Sequence, residues 1–306
     1  MTETKTPTGD RIATALGSVD YRRFALYAMV LFFTAFFLSP IWTGLVTSLK
    51  TDHAVTVTAP LMPPGPEGFT LNNYAGAIGF LGRGFINSLA MAIPSTFLDV
   101  LLGSTAAYGL TLVDWKYQIP VLITFIIGIF IPYQAILVPL ADFWVNIFPL
   151  EKVLAPIWAL PVLKVYHARL LELIITHVAY GIPICMLLFR SYYHTISDEL
   201  IEAAKIDGAS ITSIYLRIVL PLSTPMIGVV LIYQFTQIWN EFLFSLTLIG
   251  SSSSPAATLT LILSGMGASI SGVDFGLRMA GAFVTALPTI LIYLLFSDQF
   301  AEGLRT

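Results

Sequence analysis

Charged side chains are scarce in this chain of 306 residues. They make up 11% of it, 15 basic and 18 acidic, against roughly 25% in an ordinary soluble domain. So few charges cannot cover the surface of a water-soluble fold of this length. With 56% hydrophobic residues and a mean hydropathy of +0.82, much of the surface must instead face lipid. Cysteine is nearly absent. Cys185 stands alone in an apolar run, which excludes an internal disulfide and any multi-cysteine metal site and marks it as a small buried apolar residue. The four histidines (His53, His167, His177, His194) fall on separate segments, so the clustered catalytic set of a membrane-embedded enzyme is missing. No basic stripe suits nucleic acid. No G-x-x-x-x-G-K-[ST] loop occurs, so the chain does not hold nucleotide phosphates by that route. Tandem repeats are missing too, and Ser251 to Ser254 before Pro255 reads as a turn.

Apolar runs near 20 residues, the length that crosses a bilayer, are plentiful. Six are predicted as spans: Phe24 to about Val46, Ile86 to Val113, Ile119 to Phe143, Leu170 to Leu188, Pro225 to Leu248, and Leu277 to Phe296. The first is too long for a signal-peptide core and lacks a convincing cleavage site, so it reads as a retained span. Gly, Ala, Ser and Pro interrupt the runs, as suits closely packed helices. The fold class is therefore all-α, a polytopic membrane protein with about six transmembrane helices. A cytoplasmic segment over 1–23 precedes a single transmembrane domain over 24–306.

Lys and Arg counts set the orientation. With the N-terminus inside, inner segments carry Lys5, Arg11, Arg22, Arg23, Lys116, Arg190, Lys205, Arg217 and Arg305. Outer segments carry Lys50, Arg83, Lys152, Lys164, Arg169 and Arg278, so the bias is nine to six and both termini are placed inside. The stretch 146–169 holds an apolar core too short to cross, with Pro156 and Pro161, and is expected as a re-entrant or interfacial segment on the outer face.

The loop between the fourth and fifth spans, about 190–221, is the longest on the inner side and the most densely charged. Ser197 is placed as a helix N-cap with Asp198 and Glu199 in the first turn, where carboxylates favour the helix dipole. Gly208 falls at a left-handed C-cap. Ser210 caps a second helix running to about Val219 and ending at Pro221. Two short helices with a tight corner make a compact knob, and the Ala203-Ala204 pair gives it a flat side.

The spacing Glu202-Ala203-Ala204, three residues, Gly208, nine residues, Ile218, one residue, Leu220-Pro221 resembles the EAA loop of ABC importer permeases. The text around it, Ala204-Lys205-Ile206-Asp207-Gly208-Ala209-Ser210, is similar to the sugar-importer version. So are Ser48-Leu49-Lys50, Phe69 to Tyr74, Trp239 to Phe244 and the tail Phe300 to Leu304. The resemblance covers nearly all of the chain and is closest to the maltose-permease-like member of a heterodimeric pair. It departs in a longer 146–169 segment and in an end at Thr306 without a glycine-lysine tail.

That resemblance implies a type I ABC importer permease fold and a sugar-conducting role beside a sibling permease. It implies two ATPase subunits below and an extracytoplasmic sugar-binding protein outside. ATP and magnesium would sit on the partners, leaving this chain without cofactor, metal or catalytic residues of its own. Glu202, Ala203, Ala204, Asp207, Gly208, Leu220 and Pro221 would couple to the ATPase, Gly208 by permitting the corner. The Ser- and Gly-rich loop from Gly250 to about Phe275 would reach the binding protein.

Charged groups inside spans are costly and mark possible path residues: Asp99, Asp142, Glu241 and Arg278 qualify. Trp239, Asn240 and Glu241 together offer the aromatic and polar lining a sugar needs, although Glu241 can equally serve as a helix partner. Asp99 and Arg278 read as interfacial or inter-helix partners, and His177 as a hydrogen-bonded structural residue. The rivals are an ion-gradient-driven transporter or channel, whose usual internal repeats or paired broken helices are not seen, and an ABC permease for a non-sugar solute.

Overall fold

In hydrocarbon no water is available to satisfy the backbone, so spanning segments close their hydrogen bonds internally as helices. The computed structural model describes residues 21–269 and 272–298. Lys5, Arg11, Arg305 and the tail from Phe300 to Leu304 lie outside the described residues. Five described helical stretches are long and apolar enough to cross a membrane, one of them Tyr133–Val153 counted through its π turn, or six when the bent pair Ile211–Leu222 and Thr224–Trp239 counts as a single span.

Helix α1 (Tyr21–Ser48) turns almost its whole length outward, with Phe32, Phe36 and Phe37 more than 60% exposed. Only Gly44, Val46 and Ser48 are buried, near its end. A short helix α2 (Asp52–Val57) follows, capped by the Thr51 side chain. Helix α3 (Asn72–Thr111) has 40 residues and begins fourteen before the expected span. At 1.5 Å per residue it is about 60 Å long, twice the hydrocarbon thickness. Its start is fixed from outside the helix: Asn73 Nδ2 donates to the carbonyls of Ser48 and Lys50 at 3.0 and 2.9 Å.

The third apolar run is not one helix. It forms α4 (Gln118–Phe130) and α5 (Tyr133–Asp142), separated at Ile131-Pro132. Pro132 has no N–H to continue the ladder and pushes Ile131 to an extended backbone (φ −73°, ψ 113°). A π turn (Phe143–Ile147) and two four-residue helices, α6 (Leu150–Val153) and α7 (Ala155–Trp158), lead on to α8 (His167–Tyr193). Trp144 is buried there, its indole donating to Thr176 at 3.0 Å.

Beyond α8 come α9 (Asp198–Ile206), α10 (Ile211–Leu222) and α11 (Thr224–Trp239). Next are α12 (Leu243–Ile249), α13 (Leu259–Gly265), a two-residue antiparallel ladder (Ala268–Ser269 with Gly272–Val273) and α14 (Phe275–Leu295). Two hydrophobic cores organise them. One contains Leu81, Met91, Trp144, Phe235, Trp239 and Phe244 and knits α3 to α8, α11, α12 and α14. The other contains Tyr108, Phe189, Tyr193, Ile201, Ile214 and Tyr215, and it carries the loop between α8 and α11.

Candidate functional site

The loop is built by local rules, with one exception. Ser197 has the extended backbone of an N-cap (φ −63°, ψ 131°), yet its hydroxyl makes no cap bond to α9. It donates instead to the Glu199 carboxylate, which that bond holds below its ordinary pKa. The expectation of a Ser197 side-chain cap is thereby corrected: the hydroxyl is turned to the Glu199 carboxylate and its oxygen accepts from no amide of α9. At the other end, Gly208 adopts φ +79°. Its N–H reaches the Lys205 carbonyl and the Ala209 N–H reaches the Ala204 carbonyl, both at 3.0 Å. This paired closure is the Schellman pattern, which needs a left-handed residue at Gly208. Ser210 caps the second helix through Ser213 N at 3.2 Å.

The second helix runs past its expected end. Tyr215–Val219 widens into a π turn, Pro221 sits in the first turn of the short helical segment after it, and the chain bends by 76° at Ser223 into α11. A proline in a first helical turn gives up only an N–H that had no partner, so Pro221 does not stop the helix. Ser223, whose hydroxyl donates to the Val219 carbonyl at 2.5 Å, marks the corner instead.

Glu202, Ala203, Lys205, Ile206, Asp207 and Gly208 form the exposed side of this corner, and Ile206 is 86% exposed. Glu202 makes no hydrogen bond or ion pair among the described residues. Ala204 does not share the exposed face of Ala203. It packs inward on the second core together with Ala209 and Leu220, while Pro221 is exposed. Ile201, 3% exposed, is the inward anchor of α9.

Hydroxyls hold the base of the loop. Ser104 Oγ on α3 lies 2.7 Å from Tyr193 OH and 2.9 Å from Tyr215 OH. One turn further along α3, Tyr108 OH donates to the Ile211 carbonyl at 2.9 Å. These residues carry no local sequence signal, since Ser104 is 89 and 111 residues from its two partners.

The expected path residues lie elsewhere, at a break between α11 and α12. Trp239 is completely buried. Its indole donates to the Thr285 carbonyl of α14 at 2.9 Å, its ring stacks on Phe235, and Phe85 meets it edge-on. It is a core residue of this chain. Asn240 is exposed, with Nδ2 donating to the Thr236 carbonyl at 2.9 Å. The Glu241 carboxylate accepts from Phe244 N at 2.6 Å and Ser245 N at 3.3 Å, taking the place of the carbonyls that would continue the helix. The fifth apolar run is therefore two helices, and Glu241 caps the second.

His177 stands 3.9 Å from Glu241 and packs edge-on against Phe244, but its Nε2 has no hydrogen-bond partner among the described residues. The expected hydrogen-bonded role does not hold at that atom. Asp99, fully buried on α3, accepts from Gln234 Nε2 of α11 at 2.6 Å and so ties two spans together. Asp142 accepts from Asn146 at 2.7 Å on the exposed surface, and Arg278 donates to the Met266 carbonyl at 2.5 Å.

Truncating Trp239 separates the two roles at this break. Trp239→Ala is expected to cost about 3–5 kcal/mol of stability, the range for emptying a large buried aromatic site. Asn240→Ala should leave the thermal midpoint of the purified protein unchanged. Equal midpoints for the two variants would show that Trp239 is not a core residue.

Comparison with known proteins places this architecture. The xylose/arabinose import permease protein XacI of Haloferax volcanii is 55% identical over 296 residues, covering 96% of each chain. The arabinooligosaccharides transport system permease protein AraQ of Bacillus subtilis is 27% identical over 292 residues, 92% of this chain and 95% of that one. A crystal structure of a bacterial ABC transporter that imports the acidic polysaccharide alginate superposes with a TM-score of 0.64. It does so at 16% identity, over 92% of this chain and 98% of that one, which shows a shared fold. The family model described as the binding-protein-dependent transport system inner membrane component matches residues 85–300, and this multi-pass membrane chain belongs to that family.

Proposed function

We propose that this chain is a sugar-conducting permease subunit of an ATP-driven importer and that it couples to its ATPase through the α9–α10 corner. The observation that carries the coupling is the shape of that corner. A left-handed glycine turns the chain, Glu202 projects without a partner among the described residues, and Ile206 is exposed beside charges, while the base of the loop is buried in the second core. An exposed isoleucine on a fixed corner, rimmed by charge, suits insertion into a cleft on another protein.

Glu202, Ala203, Asp207 and Gly208 make the contact. Ala204 and Leu220 shape the buried base, and Pro221 lies on its exposed edge. Both termini face the cytoplasm, where two ATPase copies hold ATP and magnesium, and a sibling permease completes the pore. ATP binding closes the ATPase pair, and the corners swing the spans from inward-open to outward-open; hydrolysis resets them. A binding protein delivers substrate outside. The 55% relative favours a pentose as the sugar. Of the residues at the fifth-span break, Asn240 contacts the path, while Trp239 and Glu241 set the geometry.

The test is to purify the complex, identify its co-purifying subunits, and measure ATP hydrolysis with binding protein loaded with xylose, arabinose or a hexose. Pentose-loaded protein should stimulate hydrolysis. Glu202→Lys should abolish that stimulation or the assembly itself. Retention of both by Glu202→Lys would end the coupling proposal, and stimulation by the hexose alone would end the pentose assignment.

A further inference from the structure

We propose that the buried hydroxyl cluster of Ser104, Tyr193 and Tyr215 is the joint that makes the coupling corner and the inner part of α3 move as one body, with Tyr215 OH as its positioning group. This rests on reading the corner as the ATPase-docking element.

A docking loop joined to its spans only through its two chain ends would dissipate a push in those connections. Here one end passes through residues 194–197 and the other through the 76° bend at Ser223. The hydroxyl cluster provides a third, direct attachment. Ser104 Oγ bridges Tyr193 at 2.7 Å and Tyr215 at 2.9 Å, and Thr105 Oγ1 lies 3.3 Å from Tyr215 OH. Thr105 already donates to the Leu101 carbonyl at 2.7 Å, so it accepts from Tyr215. One satisfied arrangement sends the Tyr215 proton to Thr105 and lets Tyr215 OH accept in turn from Ser104. Ser104 then accepts from Tyr193, and every hydroxyl in the chain has its proton used. A buried network with all members satisfied is rigid, because removing one member orphans the polar group it served.

Three spatially adjacent features reinforce it. The Tyr108 and Tyr215 rings pack at 5.1 Å between centroids. Tyr108 OH holds the Ile211 carbonyl at the start of the second loop helix. The π turn begins at Tyr215 itself, and such wide turns gather at functional positions in helices. Phenylalanine would fill the same space at 215, so apolar packing alone does not require the hydroxyl. What the hydroxyl adds is a fixed direction between α10, α8 and α3.

The experiment uses the complete complex reconstituted in lipid vesicles with its binding protein, comparing Tyr215→Phe, Ser104→Ala and Ser104→Thr. Both hydroxyl-removing variants should assemble and hydrolyse ATP. Sugar moved per ATP should fall by at least about fivefold, the lower range for coupling between distant sites. The double variant should be no worse than either single one, because both break the same joint. Ser104→Thr, which keeps the oxygen, should restore coupling. A wild-type ratio in both Tyr215→Phe and Ser104→Ala overturns the joint and leaves the docking reading intact. Loss of assembly in both makes the hydroxyls structural and also overturns it. If Glu202→Lys is harmless as well, the docking reading itself has failed.

Discussion

Gly103→Val is expected to remove most of the folded chain from the membrane. A β-carbon at Gly103 would lie 2.5 Å from Cys185 Cβ and 3.1 Å from both the Cys185 carbonyl carbon and Met186 N. The last two are backbone atoms of α8, so no rotamer change clears them and the helices themselves must part. The neighbourhood cannot absorb that, because Cys185, Met186 and Phe189 are completely buried. Lipid offers the helices no hydrophobic penalty for separating, so close packing is the main attraction between them. Overpacking of this kind costs about 1–3 kcal/mol for an added methylene or two in a tight core, and valine adds more than that. Gly103→Ala should be intermediate. The yield of monodisperse complex and its thermal midpoint read the effect, and an unshifted midpoint for the valine variant would refute the account.

Substitution at Gly208 acts by a different route. Among the described residues nothing lies within 4 Å of a β-carbon built there, so space is not the constraint. The constraint is φ +79°, which costs an L-residue about 1–2 kcal/mol, with asparagine the best tolerated and β-branched residues the worst. A strained chain escapes by giving up the two hydrogen bonds that close α9, and the second helix then points elsewhere. Activity stimulated by loaded binding protein should therefore fall in the order Gly, Asn, Ala, Val, with stimulation nearly lost in valine. Thermal stability should change little. A valine variant as active as the asparagine one would sink this explanation.

The contrast between these two glycines indicates what was legible in the sequence. Gly208 acts through its own backbone and the residues beside it, so its role could be read from spacing. Gly103 acts through α8, some eighty residues away, and nothing local announces it. Breaks in the helices divide similarly. Pro132 interrupts the third apolar run, but Pro40, Pro94, Pro183 and Pro288 sit inside continuous helices. Proline alone therefore does not locate a break. The break in the fifth run depends on Glu241 turning onto Phe244 N and Ser245 N and on Thr260 donating to the Glu241 carbonyl at 2.7 Å, a partner from a later helix. Trp239 has the chemistry of a sugar-stacking residue, yet Thr285 and Phe85, from two other spans, place it in the core. Apolar length was enough for α1, α8 and α14, because lipid imposes that requirement wherever a helix crosses.

Helix α3 fastens to the segment after α1 near Asn73 and to the α9–α10 corner near Ser104 and Tyr108 without a break between them. Along such a rod, angular phase is fixed as firmly as distance. Inserting one residue between the two attachments would rotate one end against the other by about 100° and lengthen the rod by about 1.5 Å. Inserting seven would complete nearly two turns and restore the angle while adding about 10 Å. Length variation in this helix is therefore quantised: the two attachments keep both their phase and their separation only when no residue is gained or lost between them.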